Sequence, residues 1–291
     1  MYKLHVSPLR YPGGKTKISK YLSKLHTQNG APEIWFEPFG GGLGAGLKLL
    51  EQDLIGELWF CEANPSLATF WTYILCNATD FEKYLQVQYS SMSLIKFREA
   101  QSILANPLPG NDLEIAAATL VVNRCSRSGI IDPKASPIGG AKQDGQYTVS
   151  ARWNIKRTID QIKHIKKYSH SIRFIGHDGV KSVQELADSG INDDELFIFV
   201  DPPYVKEGNR LYKYGMTRNQ HEKLADTLLA SPYPWALTYD ASELVNSLYT
   251  DQVAFQYSLQ YTANRSKEGL EQIIFSDNCI PLYQPPRELK W

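Results

Sequence analysis

The 291-residue chain is 43% hydrophobic and 21% charged, enough to bury a large core and to hold one big domain or a domain carrying an insertion. No stretch reaches the roughly 18 apolar residues of a membrane span, and the N-terminus has no apolar run of signal-peptide length, so neither membrane insertion nor secretion is expected. Thirty-one basic residues balance 31 acidic ones, and Cys61, Cys76, Cys125 and Cys279 form no CxxC pair, which sets aside zinc ribbons and dense disulfide frameworks and reads as reduced thiols in a cytoplasmic protein.

Along the chain, short β-rich runs alternate with helical patterns, the signature of a parallel sheet with crossover helices. A helix at Lys17–Lys24 precedes a strand at Ile34–Pro38, a helix at Gly44–Gln52 and a strand at Leu58–Cys61. Helices follow at Pro65–Cys76, Phe81–Tyr89, Leu113–Arg124 and Asn154–Tyr168, with few strand signals between Asn77 and Tyr168. Strands at Ile172–Ile175, Leu196–Val200 and Trp235–Tyr239, a helix at Asn219–Ala230, and a closing pair at Val253–Tyr261 and Gln272–Phe275 complete the pattern, the last two placed to run antiparallel. The expected fold is α/β, with residues 1–76 and 169–291 forming one domain and residues 77–168 inserted into it.

The balanced total hides an uneven distribution. Between Val121 and Ile175, eleven lysines and arginines stand against three aspartates, a net charge of +8. The solvated face of a long helix near Arg157 to Lys167 accounts for part of that excess. Arg124, Arg127, Lys142 and Arg152 lie outside it and are candidates for contacts with an anionic partner. Gln143 to Trp153, with a Gly turn before Tyr147-Thr148-Val149-Ser150, reads as a hairpin, either entering a nucleic-acid groove or lying on an ordinary surface.

The run Trp35-Phe36-Glu37-Pro38-Phe39-Gly40-Gly41-Gly42-Leu43-Gly44-Ala45-Gly46 is a strand, then glycines, then a helix. Such a turn lets a ligand approach the backbone and leaves helix N-terminal N–H groups available. Glu62 follows the next strand, where a carboxylate can accept both hydroxyls of a ribose. Gly40-x-Gly42-x-x-Ala45 also satisfies the dinucleotide fingerprint, so a nicotinamide oxidoreductase stays open, as does a turn used only for packing.

A second apolar strand, Leu196 to Val200, runs into Asp201-Pro202-Pro203-Tyr204. Consecutive prolines fix two φ angles and remove two donors, so the chain leaves the sheet stiff, with unpaired carbonyls. Asp201 and a neighbouring carbonyl then offer two acceptors to a flat donor such as the amino group of a nucleobase, and Tyr204 offers a face for its ring. A tight turn with Asp in first position is the alternative.

Arg10-Tyr11-Pro12-Gly13-Gly14-Lys15, the glycine run from Glu37 to Ala45, and Asp201 to Tyr204 together resemble, in that chain order, the D12-class, Dam-like DNA adenine-N6 methyltransferases. The resemblance covers most of the chain and takes in Asn123 to Ile130, Pro137-Ile138-Gly139-Gly140 and Arg152-Trp153-Asn154. It implies a Rossmann-like, S-adenosylmethionine-dependent methyltransferase fold. Its sheet would be mixed, mostly parallel and seven-stranded, with the insertion a mainly helical target-recognition domain. By that resemblance Tyr11 and Lys15 belong to the N-terminal cofactor motif. Glu37, Phe39, Gly40, Gly41 and Gly42 cradle the methionine part of S-adenosylmethionine, Glu62 holds its ribose, and Asp178 lies near its adenine. Asp201, shared with the cofactor site, and Pro202, Pro203 and Tyr204 form the catalytic segment. The family often has Trp at the Tyr11 position and Asp at the Glu62 position; both changes keep an aromatic face and a carboxylate.

The implied reaction takes an adenine out of double-stranded DNA, stacks it on Tyr204 and accepts its amino hydrogens on Asp201 and the Pro202 carbonyl. Metal and covalent intermediate are not expected. Action as a monomer is expected, and a cognate restriction endonuclease is a further implied partner. Three alternatives stand beside this reading: transfer to cytosine N4 or RNA adenine, a catalytically silent DNA-binding module derived from a methyltransferase, and the nicotinamide enzyme.

Overall fold

The computed structural model describes residues 7–11, 13–205, 215–261 and 267–282. Pro12 of the N-terminal motif lies outside the described residues. The chain divides into two compact units, one of residues 1–13 and 64–170, the other of residues 14–63 and 171–291.

The second unit is built on one seven-stranded sheet. Its strands are β1 (Ile34–Glu37), β2 (Glu57–Cys61), β3 (Ile172–Gly176), β4 (Leu196–Val200), β5 (Trp235–Asp240), β6 (Ala254–Tyr261) and β7 (Lys267–Phe275). They lie in the order β3-β2-β1-β4-β5-β7-β6. The first five are parallel, and β7 inserts antiparallel between β5 and β6. The chain therefore reverses at β1 and β4, whose carboxyl ends bound the crevice where open α/β sheets take ligands. The mixed, mostly parallel sheet expected from the pattern is the one found, and each expected strand overlaps an observed one.

Every residue of β4 is buried, as a central parallel strand covered on both faces requires. On one face Phe36, Ile198, Val200, Leu237 and Tyr239 join Leu224 and Leu228 in a single core. Alternate residues point the other way, where Trp35 stacks on Phe197 at 5.2 Å and on Phe199 at 5.4 Å. Four helices of this unit are α1 (Ser19–Gln28), α2 (Gly46–Glu51), α7 (Gly179–Ala187) and α8 (Arg218–Leu229), and a short α9 (Glu243–Leu248) follows β5. α7 and α9 were not anticipated. α7 opens on Gly and Val, poor helix formers, and is set by its cap: the Asp178 carboxylate accepts from the amide of Lys181 at 3.0 Å.

The first unit is helical. Its helices are α3 (Pro65–Gln88), α4 (Leu94–Ala105), α5 (Asp112–Cys125) and α6 (Ile155–Lys166). α3 joins two expected helices across a non-helical Asn77 (φ −127°, ψ 31°), and α4 was not anticipated. α5 packs against both α3 and α4, and its residues Ile115 to Asn123 are all buried. α6 buries Ile159, Ile162 and Ile165 and turns Lys156, Arg157, Lys163 and Lys166 outward. The hairpin expected at Gln143 to Trp153 is not formed. The side chain of Gln143 takes the place of a partner strand, donating to the carbonyls of Ile138 and Gly140 and accepting from the amide of Val149, and the chain closes in a short 3-10 turn at Val149–Arg152.

Candidate active site

The site grows from the carboxyl ends of β1, β2 and β4. Glu37 ends β1 and is 5% exposed. Its Oε1 accepts from the Trp35 indole at 3.0 Å and from the amide of Gly46 at 2.7 Å, so it ties the strand to the first turn of α2. Gly46 permits this: a Cβ there would stand 2.8 Å from Oε1 and 2.3 Å from Leu58 Cδ1. Burial pushes the Glu37 carboxyl up to about 7, although both hydrogen bonds pull it down.

The glycine turn is held from below and from the side. The amide of Gly40 donates to the carbonyl of Cys61 at 2.8 Å, and Gly41, at φ +51°, donates its amide to Glu62 Oε2 at 3.0 Å. Glu62 is 7% exposed, and its own carbonyl hydrogen-bonds His177 Nδ1 at 2.9 Å. Gly42 is buried in the same turn, and Phe39 packs on the core. Asp178 follows β3 and caps α7, whose first residue lies so close to β1 that a Cβ on Gly179 would stand 2.0 Å from the Pro38 carbonyl oxygen. Glycine turn, Glu62 and Asp178 thus follow three adjacent parallel strands.

Asp201 leaves the end of β4 with one oxygen engaged. Oδ1 receives Lys15 Nζ at 2.7 Å and Thr238 Oγ1 at 2.8 Å. Among the described residues, Oδ2 and the Pro202 carbonyl carry no hydrogen bond, and the Asp201 side chain keeps 24% exposure. Pro202 is buried and Pro203 half-buried. Lys15 Nζ also donates to the Tyr204 hydroxyl at 2.8 Å, and the Tyr204 ring sits 6.2 Å from that of Tyr239. The amide of Val205 donates to Asp240 at 3.1 Å, which fixes the exit from the motif.

Lys15 is 3% exposed and reaches a second carboxylate, Glu271 of β7, at 3.7 Å. Burial alone would push its ammonium down, but Asp201 and Glu271 together hold it above the ordinary lysine value. Asp201 is raised by burial against the pull of Lys15, because two carboxylates share one ammonium. Thr238 and Glu271 were not among the expected site residues. Only the fold brings them in, since β5 pairs with β4 and β7 with β5, a placement set by strand pairing rather than by chain order.

The remaining expected residues belong to the helical unit. Tyr11 is half-buried. Arg127, Lys142 and Arg152 are exposed, whereas Arg124 directs its guanidinium at the carbonyl oxygens of Pro8 (2.7 Å) and Arg152 (3.0 Å). Asn123, fully buried, grips the N-terminal motif. Its Oδ1 accepts from the amide of Arg10 at 2.8 Å, and its Nδ2 donates to the carbonyls of Arg10 (2.9 Å) and Gly129 (2.7 Å).

A sheet of this order, with its antiparallel strand between the last parallel pair, a glycine turn after β1 and a carboxylate after β2, defines the S-adenosylmethionine-dependent methyltransferases. Within that class, the chain belongs to the D12 class N6 adenine-specific DNA methyltransferase family, whose model matches residues 11–264. It is an N6 adenine-specific DNA methyltransferase with S-adenosylmethionine as methyl donor and DNA as substrate. No curated protein matches the chain. Among the described residues no helix is long and apolar enough to cross a membrane.

The residues present suit the cofactor. A buried carboxylate held by a glycine amide follows β2 and could accept ribose hydroxyls, and the carboxylates of the site are compatible with a cationic sulfonium. When bound, S-adenosylmethionine supplies an electrophilic methyl group.

Proposed function

We infer that Asp201 and the Pro202 carbonyl hold the amino group of an adenine flipped out of double-stranded DNA, with Tyr204 stacked on its ring. One observation carries this assignment: Lys15 and Thr238 occupy Asp201 Oδ1, while Oδ2 and the Pro202 carbonyl, on the same rigid corner, have no partner among the described residues. Two acceptors at that corner draw the lone pair of N6 out of conjugation and stabilise the positive charge developing there. Lys15 also steadies the Tyr204 hydroxyl, so the stacking face and the acceptor are set by one side chain.

Glu37, Phe39 and Gly40 to Gly42 would line the methionine end of the cofactor and Glu62 its ribose. Asp178, already committed to the α7 cap through one oxygen, would stand at its adenine, and Lys15 would complete the pocket; Tyr11 is the aromatic of the same N-terminal cofactor motif. Residues 77–168 serve as the target-recognition insertion, with Arg127, Lys142 and Arg152 as the exposed phosphate or base contacts and Arg124 ordering the backbone beneath them. The enzyme acts in the cytoplasm as a monomer, beside a cognate restriction endonuclease.

The test is transfer of a labelled methyl group from S-adenosylmethionine to unmethylated bacterial DNA, followed by hydrolysis to nucleosides. Label is expected in N6-methyladenine. Asp201→Ala should lower it on the order of 10²–10³-fold, the cost of losing one group aimed at developing charge, with DNA affinity within about threefold of wild type. Label that survives Asp201→Ala would refute the assignment.

A further inference from the structure

The acceptor oxygen of Asp201 is not electrostatically alone. Lys15, itself buried, presses an ammonium against the same carboxylate at 2.7 Å. Taken as a pair they are neutral, which is a poor arrangement for a reaction that brings positive charge to the spot. With S-adenosylmethionine bound, N6 would form its bond to the methyl carbon as the carbon–sulfur pair returned to sulfur. Positive charge would pass to N6, and its surplus proton would leave through the Asp201 carboxylate. The site would therefore face a cation from cofactor binding until that proton is lost.

Glu271 alters this balance. Its carboxylate, 1% exposed, stands 3.7 Å from Lys15 Nζ, and the Tyr257 hydroxyl donates to the same Oε2 at 2.6 Å. β7 carries Glu271 opposite both Asp240 of β5 and Tyr257 of β6, so the register of two antiparallel pairs holds it under Lys15. Among the described residues one ammonium lies between these two carboxylates, and the three groups together carry one net negative charge in a setting where water screens little. We propose that Glu271 is a positioning residue that cancels the charge of Lys15, leaving Asp201 anionic toward its substrates, so that the site selects the cationic cofactor and stabilises the cationic amino nitrogen. This rests on the assignment of Asp201 given above. Among the described residues, three other ionisable groups face this cluster: Glu37, whose carboxyl burial pushes up to about 7; His221, whose imidazole burial pushes down and which hydrogen-bonds the Tyr239 hydroxyl at 2.6 Å; and Asp240, which lies opposite Glu271 and accepts from the amide of Val205.

The test compares calorimetric binding of S-adenosylmethionine and of the uncharged S-adenosylhomocysteine to the full-length wild type and to Glu271→Gln, whose side-chain oxygen still accepts from Tyr257. S-adenosylmethionine should weaken at least fivefold, S-adenosylhomocysteine should stay within twofold, and single-turnover methyl transfer should fall at least tenfold. Lys15→Met removes the compensating cation and should move the ratio of the two affinities the opposite way, which keeps the proposal open to refutation if Glu271→Gln does not fold. Equal weakening of both ligands, or no change in either, overturns the proposal, as does a Lys15→Met ratio that moves with that of Glu271→Gln. The Asp201 assignment fails separately, through label that persists in Asp201→Ala.

Discussion

Replacing Glu37 by glutamine should flatten the pH dependence of stability. The carboxyl is buried at the end of β1 and rises from an ordinary 4.5 to about 7 on folding. An acid raised in this way binds its proton more tightly in the folded protein. Its contribution is therefore fully present below about 4.5 and is lost as the pH climbs to about 7. The rise corresponds to roughly 3 kcal/mol, of which about 2.5 kcal/mol falls between pH 5 and pH 8. Glutamine keeps an oxygen for the Trp35 indole and the Gly46 amide but cannot ionise. Urea unfolding of both proteins across that range gives the comparison. The wild type should lose about 2.5 kcal/mol more than Glu37→Gln between the two ends. Parallel slopes would refute the reasoning, because they would mean that Glu37 is already paid for by a partner in its ionised form.

Asn123→Ala should cost roughly 2–4 kcal/mol in thermal or chemical unfolding, since it strips partners from the amide and carbonyl of Arg10 and the carbonyl of Gly129. Arg127→Ala should reduce the slope of log affinity for DNA against log salt by about 0.9, as loss of one phosphate contact does. Arg124→Ala should leave that slope unchanged and lower stability instead, because its donors serve the carbonyls of Pro8 and Arg152. Gly46→Ala should destabilise by roughly 1–3 kcal/mol, its new Cβ falling 2.3 Å from Leu58 Cδ1.

The sheet was legible because its signals are local. β4 is a run of five apolar residues bounded by an acidic stretch and by Asp-Pro-Pro, and no helix of useful length fits there. The glycine turn and Asp201 to Tyr204 were legible for the same reason, each following a strand end. What escaped was set by partners distant in the chain. Glu271, 256 residues beyond Lys15, falls just before the expected strand Gln272–Phe275 and carries no signal of its own until β7 inserts beside β5. Arg124 reads as part of a basic cluster, yet its guanidinium finds two carbonyls that only the fold presents. Gln143 turned an alternating stretch away from strand pairing by satisfying the backbone with one amide side chain.

The clamp at Asn123 changes what an engineer should expect from the amino end of this chain. Residues 1–13 group with the helices, not with the sheet that begins one segment later. A trimmed or tagged variant altered before Gly14 would look, on a linear map, like an edit to the methyl-transfer half. Part of its damage would surface in the unit that carries Arg127, Lys142 and Arg152, through an emptied pair of hydrogen bonds on Arg10 and a loosened Gly129.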